Sequence, residues 1–393
     1  MEQSYPMTTR VAIEPALLRW ALERSRKPYA DMAERFSKLG SWLSGESAPT
    51  LKQLEDFSQA THAPLGYLFL SQPPEERLPI PDFRTLSGTA VRSLSADLLD
   101  TLYSMQQRQW WLRETLVEAG ADPLGVVASA RLSDIPEAVA VAMREALGLH
   151  SGWARGVATW QAAIGELRRA VQDLGVMAVI NGVVGNNTHR KLDVAEFRGF
   201  ALCDPYAPLI FVNGADTKSA QIFTLAHELA HVWIGREGLS GFEGLFPDHG
   251  EVERFCNHVA AEFLVPAREL EACWAEARAA AQPYEFLARR FKVSPIVAAR
   301  RAMDLRLISR EAFFAFYKDY TAQERHLEMR RKEQHKGGGD FYNNQNTRVG
   351  ERFALEVFRA AKEGRVMYTE AYRLTGLQGA AFRNYAQALG IEV

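Results

Sequence analysis

Cysteine is scarce in this 393-residue chain: Cys203, Cys256 and Cys273 are the whole supply, with no paired spacing and no C-x-x-C. That leaves no disulfide framework and suits a reducing compartment. No apolar run is long enough to span a bilayer, and no signal pattern opens the sequence, so the cytoplasm is the expected location. An excess of either charge is missing too. A net charge of −2 argues against general polyanion binding, and any nucleic-acid contact must be a local patch. There is no internal repeat and no glycine-rich nucleotide loop. What remains, 47% apolar and 24% charged residues, is the make-up of an ordinary globular protein with room for two or three domains.

One stretch stands out, Phe223-Thr-Leu-Ala-His227-Glu228-Leu-Ala-His231-Val-Trp-Ile-Gly235. Residues four apart share a helix face, so His227 and His231 can present two imidazoles to one point. Glu228, beside the first of them, can hold a water at the open position of a metal. This is the H-E-x-x-H pattern of zinc metallopeptidases, with the Glu as general base. The other positions are mostly apolar, which predicts a buried helix. Two buried imidazoles and a carboxylate are costly unless something such as a metal compensates them. A bare motif of this kind also arises by chance. Its helical apolar setting and the acidic helix that follows favour the metal.

A catalytic zinc needs a third protein ligand and leaves its fourth position to water. Gly250–Pro266 is predicted to be a helix, with Phe255, Val259 and Phe263 as its apolar stripe and Glu253 and Asn257 together on one side. H-E-L-A-H followed by E-R-F-C-N-H-V-A-A-E-F-L-V-P resembles the ImmA/IrrE family of bacterial metallopeptidases, whose second motif runs roughly E-x-x-A-N-x-F-A-A-x-L-L-x-P. Aligned on Asn257, Ala260-Ala261 and Pro266, the resemblance puts the third metal ligand at Glu253. The chain departs from the pattern at Cys256 and Val259, both tolerable core exchanges. Glu251, Asp248, His249, His258 and Glu262 are local competitors for the metal, His258 the most serious; Cys256 is expected to be a small buried hydrophobe.

Upstream, residues 14–70 read as a cluster of short helices. Trp42, Gly45, Pro49, Thr50, Leu51 and Leu54 resemble the signature of a repressor-type helix-turn-helix domain, whose third helix would enter the major groove. That helix carries Ser37, Lys38, Ser41 and Ser44 and none of the Arg, Asn or Gln side chains that read base edges best. Arg24, Arg26 and Lys27 are placed for phosphate contacts, which position without specifying. Protein docking or self-association is therefore the expected use, with DNA binding the alternative. A proline-dense linker follows, and its Leu-Pro-Ile-Pro-Asp-Phe-Arg-Thr-Leu resembles fused members of the same family.

Helices are predicted from Ser95 to about Glu118, where Trp110 and Trp111 should pack, then near Pro136–Gly148 and Ala158–Leu174. The period then changes to two. Val176–Ile180, Glu196–Leu202 and Leu209–Asn213 read as strands, with Gly182–Arg190 as a loop carrying His189. Arg198–Leu202 is the expected edge on which an extended peptide would pair, and Asn213 should tether the turn into the zinc helix. After Pro266 come helices at Arg268–Ala281, Pro283–Phe291 and Val293–Leu305, a basic and then glycine-rich stretch at Arg325–Gly339, and three tail helices at Thr347–Glu363, Thr369–Thr375 and Ala380–Leu389.

The expected fold class is α+β and mostly helical. It comprises a helix-turn-helix-like bundle at 1–71, a proline-rich linker at 72–94 and a zincin-like metallopeptidase domain with a short mixed sheet at 95–310. A basic, glycine-rich connector at 311–339 and a small helical domain at 340–393 complete it. The resemblance implies a zinc metalloendopeptidase of gluzincin type, with Zn2+ on His227, His231 and Glu253 and with Glu228 as catalytic base. It further implies cleavage of a specific partner such as a helix-turn-helix repressor, in control of stress-response or mobile-element genes. Fused members often neighbour toxin-like genes. The rival expectation is therefore a regulator or antitoxin-like protein that binds DNA or a toxin-like partner, with a latent or structural zinc site.

Overall fold

The computed structural model describes residues 10–76, 78–81, 94–240, 250–332 and 345–392. They divide into two units. One holds the described residues up to Pro79 and those from Leu94 to Tyr103; the other holds Ile80, Pro81 and the described residues from Ser104 on.

In the first unit, Pro15 at a first helical position opens α1 (Pro15–Ser25), followed by α2 (Tyr29–Arg35) and α3 (Leu39–Leu43). Thr50 and Gln53 exchange hydrogen bonds in a capping box that starts α4 (Leu51–Thr61). A 3-10 turn at Leu65–Phe69 follows. Leu17, Leu39, Trp42, Leu54 and Phe57 form the shared core. Arg24 is not available for phosphates as its sequence position suggested. It is 4% exposed, its Nε lies 2.9 Å from both Glu76 oxygens, and it donates to the His62 carbonyl. A guanidinium is buried at this depth only with its charge and donors matched.

The division between units falls within α5 (Ala96–Glu118). Only one of its two tryptophans packs as expected: Trp111 meets Phe353 edge-on at 5.7 Å, while Trp110 is 61% exposed. Neighbours on a helix point about 100° apart, so one turns outward when the other turns in. Next come α6 (Pro136–Ala146), α7 (Trp160–Asp173), β1 (Met177–Asn181), β2 (Val183–Val184), β3 (Asn187–Lys191), β4 (Gly199–Leu202) and β5 (Leu209–Asn213). They are followed by α8 (Lys218–Ile234) and β6 (Gly238–Ser240).

Strands β1, β5, β4 and β6 form one sheet in that order, with β1 and β5 parallel and the other pairings antiparallel. Two sequence expectations fail here. The stretch Gly182–Arg190 is not a plain loop, because β2 and β3 pair as a hairpin that takes up most of it and runs on to Lys191. Nor is Arg198–Leu202 an edge: β4 is paired on both sides, and β6 takes the outer place. The cause is the left-handed turn at Gly235 (φ 64°), which ends α8 and returns the chain to pair with β4. On the far side of β6, Leu239 N donates to the Pro81 carbonyl at 3.0 Å.

Alternation sorts the sheet into two faces. Ala178, Ile180, Ala201, Ile210 and Val212 join the core with α7 and α8, while the opposed pair Phe200 and Phe211 stack at 5.0 Å on the other side. Beyond the sheet lie α9 (Glu251–Leu264), α10 (Ala267–Ala279), α11 (Pro283–Phe291), α12 (Pro295–Asp304) and α13 (Arg310–Lys332). The expected glycine-rich segment at 333–339 and linker residues 82–93 lie outside the described residues. The tail forms α14 (Glu351–Lys362), α15 (Tyr368–Thr375) and α16 (Gly379–Ala388), with Phe358 and Phe382 edge-on at 4.8 Å. The architecture is α+β and mostly helical, as expected. Among the described residues no helix is long and apolar enough to cross a membrane.

Gly235 provides a test of this topology. A Cβ there would lie 2.6 Å from the Ala128 Cβ, whereas at Gly120, also left-handed (φ 70°), it would meet open space. The conformational penalty, about 1 kcal/mol, applies to both. Thermal unfolding should therefore show a clearly larger loss of stability for Gly235→Ala than for Gly120→Ala.

Candidate metal centre

The helix that carries the two histidines is fixed at both ends. The Thr217 side chain accepts from Ala220 N at its start, and Gly235 closes it. Asn213 ties down the turn before it, donating to the Phe197 carbonyl and accepting from Ala215 N. Every residue from Gln221 to Ile234 is buried, so the face that carries His227 and His231 cannot turn to solvent. Their ring centroids are 4.9 Å apart and their Nε2 atoms 3.2 Å apart.

The third group comes from α9, whose Phe255, Val259, Ala260 and Phe263 bury themselves in the core that α8 shares. That packing puts the Glu253 Oε2 3.2 Å from His227 Nε2 and Oε1 3.0 Å from His231 Nε2. Donor atoms of His227, His231 and Glu253 all lie within 4.8 Å of one another. Glu253, the most exposed of these three and Glu228, is only 5% exposed.

Hydrogen bonding fixes part of the protonation state. His231 Nδ1 lies 3.0 Å from the Arg236 carbonyl, which can only accept, so Nδ1 carries a proton and Nε2 is the ring nitrogen turned to the site. Nε2 faces His227 and a carboxylate. A proton shared among them satisfies one pair at a time; a metal ion satisfies all three donors at once. Several buried atoms here have no hydrogen-bond partner: His227 Nδ1, Glu253 Oε1 and both oxygens of Glu228. The donor set, two imidazoles and a carboxylate, therefore fits a divalent transition metal.

The two acids are held differently. Burial acts to raise the Glu253 carboxyl, but His227 and His231 beside it prevail and hold it below the usual carboxylate range. Burial pushes Glu228 up to about 8, with His231 opposing, the Glu253 charge adding, and Ser240 opposing. Two neighbouring carboxyls set so far apart are a common feature of acid–base sites.

None of the rival ligands within the described residues joins the group. His258 and Glu251 are exposed on α9. Glu262 is buried but pairs with Arg301 and accepts from Ala267 N. His189 is exposed on β3, and Cys256 is fully buried in the apolar core. Asp248 and His249 lie outside the described residues.

Two parts of the chain are similar to known protein families. Residues 172–303 match the IrrE N-terminal-like domain, Peptidase_M78. The Peptidase_M78 region runs from the end of α7 to α12, and so contains the sheet and all four residues His227, Glu228, His231 and Glu253. Residues 349–388, the tail helices, match a domain of unknown function, DUF8813. No curated protein matches the chain.

Two further residues, Gly199 and Ser240, stand beside the centre without a motif to mark them. Gly199 is where β4 meets α8: a Cβ there would come within 2.6 Å of Thr224 Cγ2 and 2.9 Å of Glu228 Oε1. A lone glycine in an otherwise strand-like run is a recognised sign of such close approach. Ser240, opposite it on β6, had no comparable signal.

Proposed function

We propose that this chain is a zinc-dependent endopeptidase in which His227, His231 and Glu253 hold the metal and Glu228 is the general base. The observation that carries the reading is the convergence of three buried donor groups beside a fourth, unpartnered acid. Three protein ligands, rather than four, are what a catalytic zinc uses, and the described residues provide three. When bound, the metal would supply Lewis acidity, making a water easier to deprotonate and polarising the scissile carbonyl. Glu228 takes the proton of that water and delivers it to the leaving amine, serving as base and then as acid.

An extended substrate would add to the outer side of β6, through main-chain hydrogen bonds. Leu239 N already bonds the Pro81 carbonyl on that side, so an incoming chain has to displace it. We assign the N-terminal helical cluster, with its capping box at Thr50, to a helix-turn-helix-like module that docks a partner protein, with DNA binding the alternative. The favoured substrate is a helix-turn-helix repressor, and the setting is cytoplasmic control of stress-response or mobile-element genes.

The rival, a regulator or antitoxin-like protein with a latent or structural site, makes a different prediction. Incubated with a candidate repressor, the zinc-loaded chain should cut it over multiple turnovers, lose that activity to a chelator and regain it with added zinc. A stoichiometric complex without cleavage, formed equally well by Glu228→Gln, would favour the rival.

A further inference from the structure

Gly199 of β4 and Ser240 of β6 are directly opposed in register. Residues so opposed project to the same face of a sheet. Gly199 identifies that face, because a side chain there would run into Thr224 and Glu228 on α8. The Ser240 side chain is therefore aimed at α8 and at the Glu228 carboxylate. Three buried polar atoms meet in that place without a hydrogen bond: Ser240 Oγ and both oxygens of Glu228.

A serine hydroxyl has one proton to give and turns freely between staggered positions, whereas an ionised carboxylate can only accept. The three orphans are thus complementary: the Ser240 hydroxyl can supply a donor to an acid that has none. We infer that Ser240 is the positioning residue for Glu228, donating to one carboxylate oxygen so that the other is presented to the water. Gly199 is the gap that lets the carboxylate reach it. The inference rests on the peptidase reading for its functional meaning, though not for its geometry. A hydrogen bond to one oxygen removes the freedom of the carboxylate to swing, and orientation of this kind affects the rate of the chemical step more than substrate affinity.

Two measurements test it. In steady-state cleavage, Ser240→Ala should lower kcat by roughly 10- to 100-fold, with KM changed less than about twofold, and Ser240→Thr, which keeps the hydroxyl, should recover most of the loss. The second needs no activity: thermal unfolding of the metal-free protein in a double-mutant cycle. Ser240→Ala should lower the melting temperature of the parent chain and leave that of Glu228→Ala unchanged, the mark of a direct contact. Additive shifts, or a Ser240→Ala protein that cleaves like the parent, would overturn the assignment. A coupled thermal cycle in the metal-free protein, together with a zinc-loaded parent that cleaves nothing, would uphold the contact and defeat the peptidase reading.

Discussion

Glu228→Gln is expected to keep its zinc and lose cleavage. Glutamine has the same shape and number of heavy atoms, so the buried pocket between α8 and β4 need not rearrange, and Glu228 is not among the three groups whose donor atoms converge. What disappears is the capacity to take up a proton. General-base groups of this kind typically contribute about 10²- to 10⁴-fold in rate. The fall in kcat/KM should lie in that range, while the zinc-to-protein ratio measured on the same sample remains that of the parent. A Glu228→Gln protein that still cuts at the parental rate would remove Glu228 from the mechanism.

His231→Ala should have the larger effect on the metal. It removes one of three ligands and the anchor that its Nδ1 makes to the Arg236 carbonyl. Even loss of a group that merely orients a ligand costs about 10- to 100-fold in metal affinity, so loss of the ligand itself should cost at least that much. Since zinc bound only to the folded state stabilises it, adding zinc should raise the melting temperature of the parent and leave His231→Ala almost unmoved. An equal rise in both proteins would place the metal elsewhere.

The residues differ in how plainly the sequence declared them. His227 and His231 were legible because helical geometry alone brings positions four apart to one side, and the flanking apolar residues show that side to be buried. Glu253 came from family resemblance. Its meeting with the histidines depends on how α9 packs on the core, which spacing along the chain does not encode. Strands β1 and β5 were visible as apolar runs. The three-residue β6 was invisible, since Gly238-Leu239-Ser240 is too short to show a period. Missing it also misplaced the sheet edge, for the position of one strand determines which neighbour is left unpaired. Trp110 and Arg24 failed for a related reason: composition states what a side chain is, while exposure and partners are settled by tertiary contacts.

The most direct measurement is zinc stoichiometry by competition with a chromogenic chelator, on the parent chain and on Glu253→Ala. One tightly held zinc per parent chain is expected, with affinity falling by at least about 10- to 100-fold when the carboxylate is removed. A parent chain that holds no zinc, or a Glu253→Ala protein that holds it just as firmly, would contradict the proposed centre.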